Sequence, residues 1–340
     1  MATQDHDFRK LIAKMEPLVR RAFLDAIARA SSHIDERALA TLIAAGRIDE
    51  AVQLLRIDQS HLWPLQEAVR NSMLSGGKLA EAVVNQGLRG VFSFNGRHQR
   101  AEAWLSQHGA QLIEGITTQS EASVRSVLVQ GLQEGRSSRS VALEITGRKV
   151  GRQRVGGVIG LTSAQTDQVL SARAMLLDPE RIRENFVRDQ KTGRWKPRFK
   201  LSDRRFDRMI RKAIDNGTAL APADVDRVIE AHKSKALGYR GRVIAKHEAR
   251  TAIAIGREQG FQQALERPDV EAVTVRWQHN LSKEPREEHV AMNGTEIQLG
   301  ESFEFPDGTR MKHPHDESAP ARHRIGCNCM AMYRVRFRRG

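Results

Sequence analysis

The sequence predicts a mainly α N-terminal body joined to a smaller C-terminal α+β domain. Three observations carry that prediction. Apolar residues recur at helical spacing through most of the chain up to Leu265. After Pro268 the period changes to two, and Val273, Val275 and Trp277 alternate with Thr274 and Arg276. The final residues repeat that period, with Ala331, Tyr333, Val335 and Phe337 set against Met332, Arg334 and Arg336, one apolar face and one basic face. A length of 340 residues suits about two domains. In chain order the pattern reads as a helical region 1–97, a helical middle region with basic segments 98–220, and an α+β domain 221–340.

The elements follow in order. A long helix is expected over 7–35, where Leu11, Met15, Leu18, Phe23 and Ile27 share a face. Shorter helices are expected over 36–46, 48–55 and 60–74. Ser75-Gly76-Gly77-Lys78 lacks the Gly-x-x-x-x-Gly-Lys-[Ser/Thr] spacing of a phosphate loop and reads as a turn. Asn95-Gly96 marks a turn before a helix at 98–115. Thr118 with Glu121, and Thr162 with Gln165, have capping-box spacing. The first pair would open a helix carrying Val124, Val127, Leu128 and Leu132, stopped by Gly135. Ser137-Ser138 then caps a short helix ending at Gly147. Residues 148–161 read as a flexible basic connection, Asp178-Pro179 as a helix start, and Thr192-Gly193 as a basic loop or small hairpin. Ser202 would cap a helix ending at Asn216-Gly217, and 222–265 reads as helical with a break near Gly238. Short strands are expected over 296–299 and 302–305, with a turn at Pro306-Asp307-Gly308. Trp63, Trp104 and Trp277 read as core residues.

Composition excludes several classes. Apolar residues are 40% of the chain, enough for a packed core. Two cysteines cannot build a disulfide scaffold. No apolar run approaches a membrane span, and 1–9 contains no apolar stretch of a secretory signal. The expectation is a soluble protein of a reducing compartment.

The net charge is +14, from 55 basic and 41 acidic residues, and it is concentrated. Arg148, Lys149, Arg152 and Arg154 form one acid-free cluster; 181–212 holds 13 basic and 4 acidic residues; and the tail carries Arg334, Arg336, Arg338 and Arg339. Clustered cations attract polyanions by releasing condensed counterions. The candidate contacts to DNA, or to an acidic partner face, are Arg148, Lys149, Arg152, Arg154, Arg188, Lys191, Arg194, Trp195, Lys196, Arg198, Lys200, Arg204 and Arg205. Phe186, Trp195, Phe199 and Phe206 lie among them and offer rings for base stacking. No helix-turn-helix or zinc-finger spacing is present, which disfavours a regulatory DNA-binding protein.

The region 277–329 is chemically the richest. Cys327 and Cys329, with His289, His313, His315 and His323, are candidate ligands of a structural zinc. On a straight strand the two sulfurs of a Cys-x-Cys pair would stand about 7 Å apart, so a bend is required to bring them onto one ion. The alternative is a packed thiol pair with the histidines bound to backbone or acids. Arg286 and His289, three apart, would share a helical face and hold a carboxylate such as Glu248. His289, His313 and Asp316 can also be read as a metal-dependent nuclease centre acting on DNA. Paired carboxylates and a helix-borne ligand set are missing, so an enzyme is not the expectation.

The ordered set Lys246-His247-Glu248, Trp277, Arg286-x-x-His289, Asn293-Gly294 and Cys327-x-Cys329 resembles the phage head-morphogenesis family, the minor head proteins similar to protein F of phage Mu. The resemblance spans 225–335, with a looser similarity over 98–147. Two departures stand out: Leu281-Ser282-Lys283-Glu284-Pro285 replaces an acidic residue, and Gly326-Cys327-Asn328-Cys329 replaces Asn-Cys-Arg-Cys. The resemblance marks Glu248, Trp277, Arg286, His289, Gly294, Cys327 and Cys329 as fold-holding signature residues. It implies a minor capsid protein of a few copies per particle, acting in head assembly and genome delivery. The implied partners are the portal protein, the major capsid or scaffolding protein and non-specifically bound double-stranded DNA, with no membrane. The implied location is the head interior or portal vertex of the virion, and the host cytoplasm during assembly.

Overall fold

A computed structural model describes residues 2–88, 90–151, 153–280 and 285–338. Helices hold 61% of the chain and the C-terminal region carries small sheets, so the protein is mainly α with a smaller α+β part. The helices are α1 (Ala2–Ser32), α2 (Glu36–Ala44), α3 (Ile48–Leu54), α4 (Gln59–Asn85), α5 (Gln99–Gln133), α6 (Ser138–Thr146), α7 (Ser163–Leu177), α8 (Asp207–Asp215) and α9 (Pro222–Leu265), with short α10 (Glu287–Ala291) and α11 (Ala321–Arg324). Local capping sets several starts. Asp35 accepts from the Arg37 and Ala38 N–H groups ahead of α2, Ser137 caps α6, and Thr162 with Gln165 forms the reciprocal box that opens α7.

Several elements differ from the sequence reading. Ser75-Gly76-Gly77-Lys78 is not a turn but lies inside α4. Its glycines let α9 approach closely: a Cβ on Gly76 would lie 2.3 Å from the Ile253 carbonyl oxygen, and one on Gly256 would lie 1.9 Å from that of Met73. Thr118 and Glu121 lie inside α5, because no proline interrupts 99–133 and extending a helix costs less than nucleating a new one. The helix α9 runs through Gly238 without a break. Asp178 closes α7 rather than opening a helix, and a 3-10 turn, Ile182–Asn185, follows. Asp203, not Ser202, caps the 3-10 turn that leads into α8. Trp63 is 59% exposed, not core, whereas Trp277 is fully buried.

The basic connection folds as a hairpin of β1 (Arg148–Val150) and β2 (Gln153–Val155), turned at Gly151 with φ +62°. Strands β3 (Phe186–Arg188) and β4 (Trp195–Pro197) form a second hairpin. Strands β5 (Val270–Gln278), β6 (Glu296–Gln298) and β9 (Met330–Phe337) make an antiparallel sheet in the order β6-β5-β9. Strands β7 (Phe303–Glu304) and β8 (Arg310–Met311) flank the Pro306-Asp307-Gly308 turn. Strand β9 is buried on both faces over Met330 to Tyr333 and alternates only from Arg334 onward, because its first half enters the core.

The chain forms two compact units, each discontinuous in sequence. One comprises Met1–Ala22, Pro64–Ala110 and Arg242–Gly340; the other comprises Phe23–Trp63 and Gln111–Gly241. Their boundaries fall inside α1, α4, α5 and α9, where no linker composition announces them, and so they do not follow the three consecutive regions read from the sequence. The core of the first unit joins Ala80 and Val84 of α4, Phe261 and Ala264 of α9, and Val273, Trp277, Phe303 and Tyr333 of the strands. That of the second joins Val169, Leu176, Phe186, Ile210 and Ile229.

Candidate metal centre

Cys327 and Cys329 lie in a bend ahead of β9, not on the strand. Gly326, with φ +74°, makes the bend, a conformation that costs glycine little. The strand spacing of about 7 Å therefore does not apply. His289 on α10 supplies Nδ1, and this atom and both Sγ atoms lie within 4.8 Å of one another. Each sulfur is 3.5 Å from His289 Nδ1, and all three residues are buried. Polar groups hold the bend in place. Arg250 of α9 donates to the Cys327 carbonyl at 3.1 Å and to Asn328 Oδ1 at 2.7 Å, and Asn280 Nδ2 donates to the Asn328 carbonyl at 2.9 Å. The Cys329 N–H donates to Cys327 Sγ at 3.3 Å, which favours negative charge on that sulfur.

A directed relay fixes His289. The Asp307 carboxylate only accepts, so His323 Nε2, at 2.8 Å, carries a proton. With that proton on Nε2, the His323 ring can offer Nδ1 as acceptor to His289 Nε2–H, 3.1 Å away. His289 Nδ1 is left with its lone pair facing both sulfurs, which is the form that ligates a metal. Arg322, the largest influence on Asp307, pulls that carboxyl well below its ordinary range and keeps the relay's end charged. Trp277 meets the His289 ring edge-on at 5.5 Å, and Phe305 lies 5.4 Å away, so packing fixes the ring as well.

The thiols are unequal. Hydrogen bonding from Cys329 pushes Cys327 well down despite burial. Cys329, beside that thiolate and buried, is pushed up. The group can hold a metal ion. A cleft of about 260 Å³ borders it, lined also by His279, Asn280, Arg286 and Asn328.

This arrangement corrects two of the ligands expected from the sequence. His313 pairs through Nε2 with Glu258 at 3.1 Å and through Nδ1 with the Pro314 carbonyl at 2.8 Å, so neither nitrogen is free for a metal. Burial lowers its pKa, but Glu258 outweighs that and pushes it up to about 9. His323 stands behind His289 as its orienting partner rather than beside the sulfurs.

Glu248 is also reassigned. Its partner is His108 Nε2 at 2.6 Å, not Arg286 or His289. His108 Nδ1 reaches Glu317 at 2.6 Å, and Trp104 stacks on His108 at 4.5 Å while donating to Glu317. Sequence reasoning missed His108 and Glu317 because their partners lie 140 and 209 positions away. Arg286 precedes α10 and donates to the Ile325 carbonyl. Gly294, with φ +91°, makes the turn whose N–H reaches the Trp277 carbonyl at 2.8 Å.

The basic candidates sort by exposure. Arg154 is only 11% exposed and bonds Glu36, Thr146 and the Gly147 carbonyl, so it serves the fold and not a polyanion. Arg148, Lys196, Arg198, Arg204 and Arg205 pair with Asp226, Asp189, Glu184, Asp207 and Asp203. Lys149, Arg188, Lys191, Arg194 and Lys200 are exposed and make no ion pair among the described residues. Trp195 is 61% exposed and sits opposite Arg188 across the β3–β4 hairpin. Phe186, Phe199 and Phe206 pack into the core, which leaves Trp195 as the ring of that set exposed for stacking. Arg152, Arg339 and residues 281–284 lie outside the described residues.

Compared with known proteins, the chain matches no family model, no curated protein and no solved structure.

Proposed function

We propose that this chain is a phage minor head protein, a structural component of the particle whose C-terminal region is braced by zinc on His289, Cys327 and Cys329. The observation that carries the reading is the convergence of dispersed signature residues. Trp277, Arg286, His289, Gly294, Cys327 and Cys329 span more than 50 positions, yet they gather on the bend and strands around one buried ligand group. Two cysteine sulfurs and an imidazole nitrogen are a donor set that suits zinc. Protein purified without chelator is expected to carry about one zinc per chain, and Cys327→Ser is expected to lose it. A wild-type chain free of zinc would remove the brace from this proposal.

The exposed cations around the β3–β4 hairpin would meet packaged DNA, or an acidic face of the portal, major capsid or scaffolding protein. Such contact is electrostatic, so duplex affinity should fall linearly with salt on a logarithmic scale, by about 0.9 per neutralised phosphate. Replacing Lys191, Arg194 and Lys200 with alanine should lower that slope by at most about 3. Affinity that is constant from low to high salt would contradict the electrostatic account.

Quantitative mass spectrometry of virions tests the role itself. A few copies per particle, measured beside portal and major capsid protein, is the expected result; absence from particles would overturn it. The cleft beside the ligands favours one second reading, a metal-dependent nuclease acting on DNA. Plasmid nicking that depends on Mg²⁺, Mn²⁺ or Zn²⁺ and disappears in His289→Ala would replace the structural reading with that one.

A further inference from the structure

We propose that a cationic cavity beside the start of α6 binds a phosphate dianion, free or as the terminal group of a nucleotide. The inference depends neither on the metal centre nor on the head-protein reading, and every residue it uses lies in the second unit.

The cavity measures about 270 Å³, just below the roughly 300 Å³ at which small-molecule pockets begin, so its occupant is small. Five cations line it: Arg136, Arg139, Arg148, Arg173 and Lys233. Three acids, Glu144, Asp226 and Glu230, line it with them, which leaves a formal excess of two positive charges. The acids are already engaged. Glu144 pairs with Lys233 at 3.1 Å and with Arg136. Asp226 bridges Arg173 at 2.9 Å and Arg148 at 3.1 Å, and Glu230 lies 3.9 Å from Arg148. The positive balance acts on Glu144. Burial pushes its carboxyl up, but Lys233, Arg136 and Arg173 outweigh that and hold it down at about 2.

Donors remain after this pairing. Arg136 Nη1 is buried without a hydrogen-bond partner, and Glu134, 3.9 Å away, is too far to accept. Lys233 is 4% exposed and gives two of its three N–H groups to the Glu144 carboxylate and carbonyl; the third has no acceptor among the described residues. Arg139 is exposed and makes no ion pair among the described residues. Charged donors withdrawn from water and left unused are destabilising unless an anion meets them.

The backbone adds to the same field. Ser137 caps α6, and Ser137, Arg139 and Ser140 form part of the cavity wall. The first turn of α6 contains no acidic residue. The N–H groups of a first helical turn lack partners within the helix, and the helix dipole places positive charge there. The Ser137 hydroxyl accepts from the Ser140 N–H at 3.3 Å, whereas the Arg139 N–H has no acceptor among the described residues. A phosphate dianion matches this wall in charge and offers oxygens to several donors at once; a carboxylate brings one charge and two oxygens.

Isothermal titration of the full chain tests the proposal, with inorganic phosphate and AMP as probes, in chloride buffer of constant ionic strength at about pH 8, where phosphate groups are dianions. Phosphate is expected to bind at one site per chain, and about tenfold more weakly in Arg139→Ala, which removes a charged donor without breaking an ion pair. Lys149→Ala removes an exposed charge of the β1–β2 hairpin outside the cavity and should leave the affinity unchanged. Tighter binding of AMP than of phosphate would identify the end of a nucleotide as the occupant, and equal or weaker binding would identify free phosphate. No binding of either probe, unchanged affinity in Arg139→Ala, or an equal loss in Lys149→Ala would overturn the proposal, the last because it marks diffuse attraction to a basic surface.

Discussion

Glu248→Ala is expected to destabilise the protein by about 3–5 kcal/mol, the range for removing one partner of a buried ion pair. The His108 and Glu248 side chains are 7% and 8% exposed, and Glu317 closes the other side of the ring. The pH dependence follows from the same contacts. Burial pushes the His108 pKa down, but the hydrogen bonds and charges of Glu248 and Glu317 outweigh it and raise the pKa from 6.5 to about 9. A raised histidine contributes its full stability below the unfolded value of 6.5 and loses it as pH climbs through about 9. Melting temperature should therefore fall between pH 6.5 and about 9 in the wild type. His313, raised to about 9 by Glu258, titrates in the same window, so His108→Gln should reduce that fall without abolishing it. Thermal melts across the window provide the check. Stability that rises with pH, or an unchanged melt in Glu248→Ala, would contradict the buried pair.

Gly256→Ala is expected to destabilise by about 1–3 kcal/mol or more, the cost of overpacking a tight contact. The new methyl would lie 1.9 Å from the Met73 carbonyl oxygen, so α4 and α9 must move apart. The matched control is Gly115→Ala in α5, where nothing lies within 4 Å and the exposed helical glycine is not needed for packing. That change should stabilise by up to about 1 kcal/mol through helix propensity. Opposite signs in denaturant unfolding are the expected result. Equal effects would mean that the close approach does not require glycine.

The sequence by itself determined what neighbours a few positions apart can decide. The change of period after Pro268 placed the strands, Thr162 with Gln165 opened α7, Gly135 stopped α5, and alternation buried Trp277. These signals are local because a helix cap or a strand face is set within about four residues. The Cys-x-Cys pair was also legible as a ligand candidate by residue type alone. The tertiary structure decided the rest. Gly76 and Gly77 read as a turn from the sequence, and only α9, far along the chain and laid against them, shows why glycines sit inside a helix there. The capping-box spacing of Thr118 and Glu121 has no effect inside a helix that is already propagating. Glu248 has a carboxylate's choice of any nearby base, and His108 wins because the fold delivers it, not because of spacing. The same holds for the histidines of the C-terminal region. Residue type makes each a possible ligand, but protons and metals are shared through space. Only the packed chain shows that Glu258 takes His313, that Asp307 turns His323 toward His289, and that His315 is left without a partner.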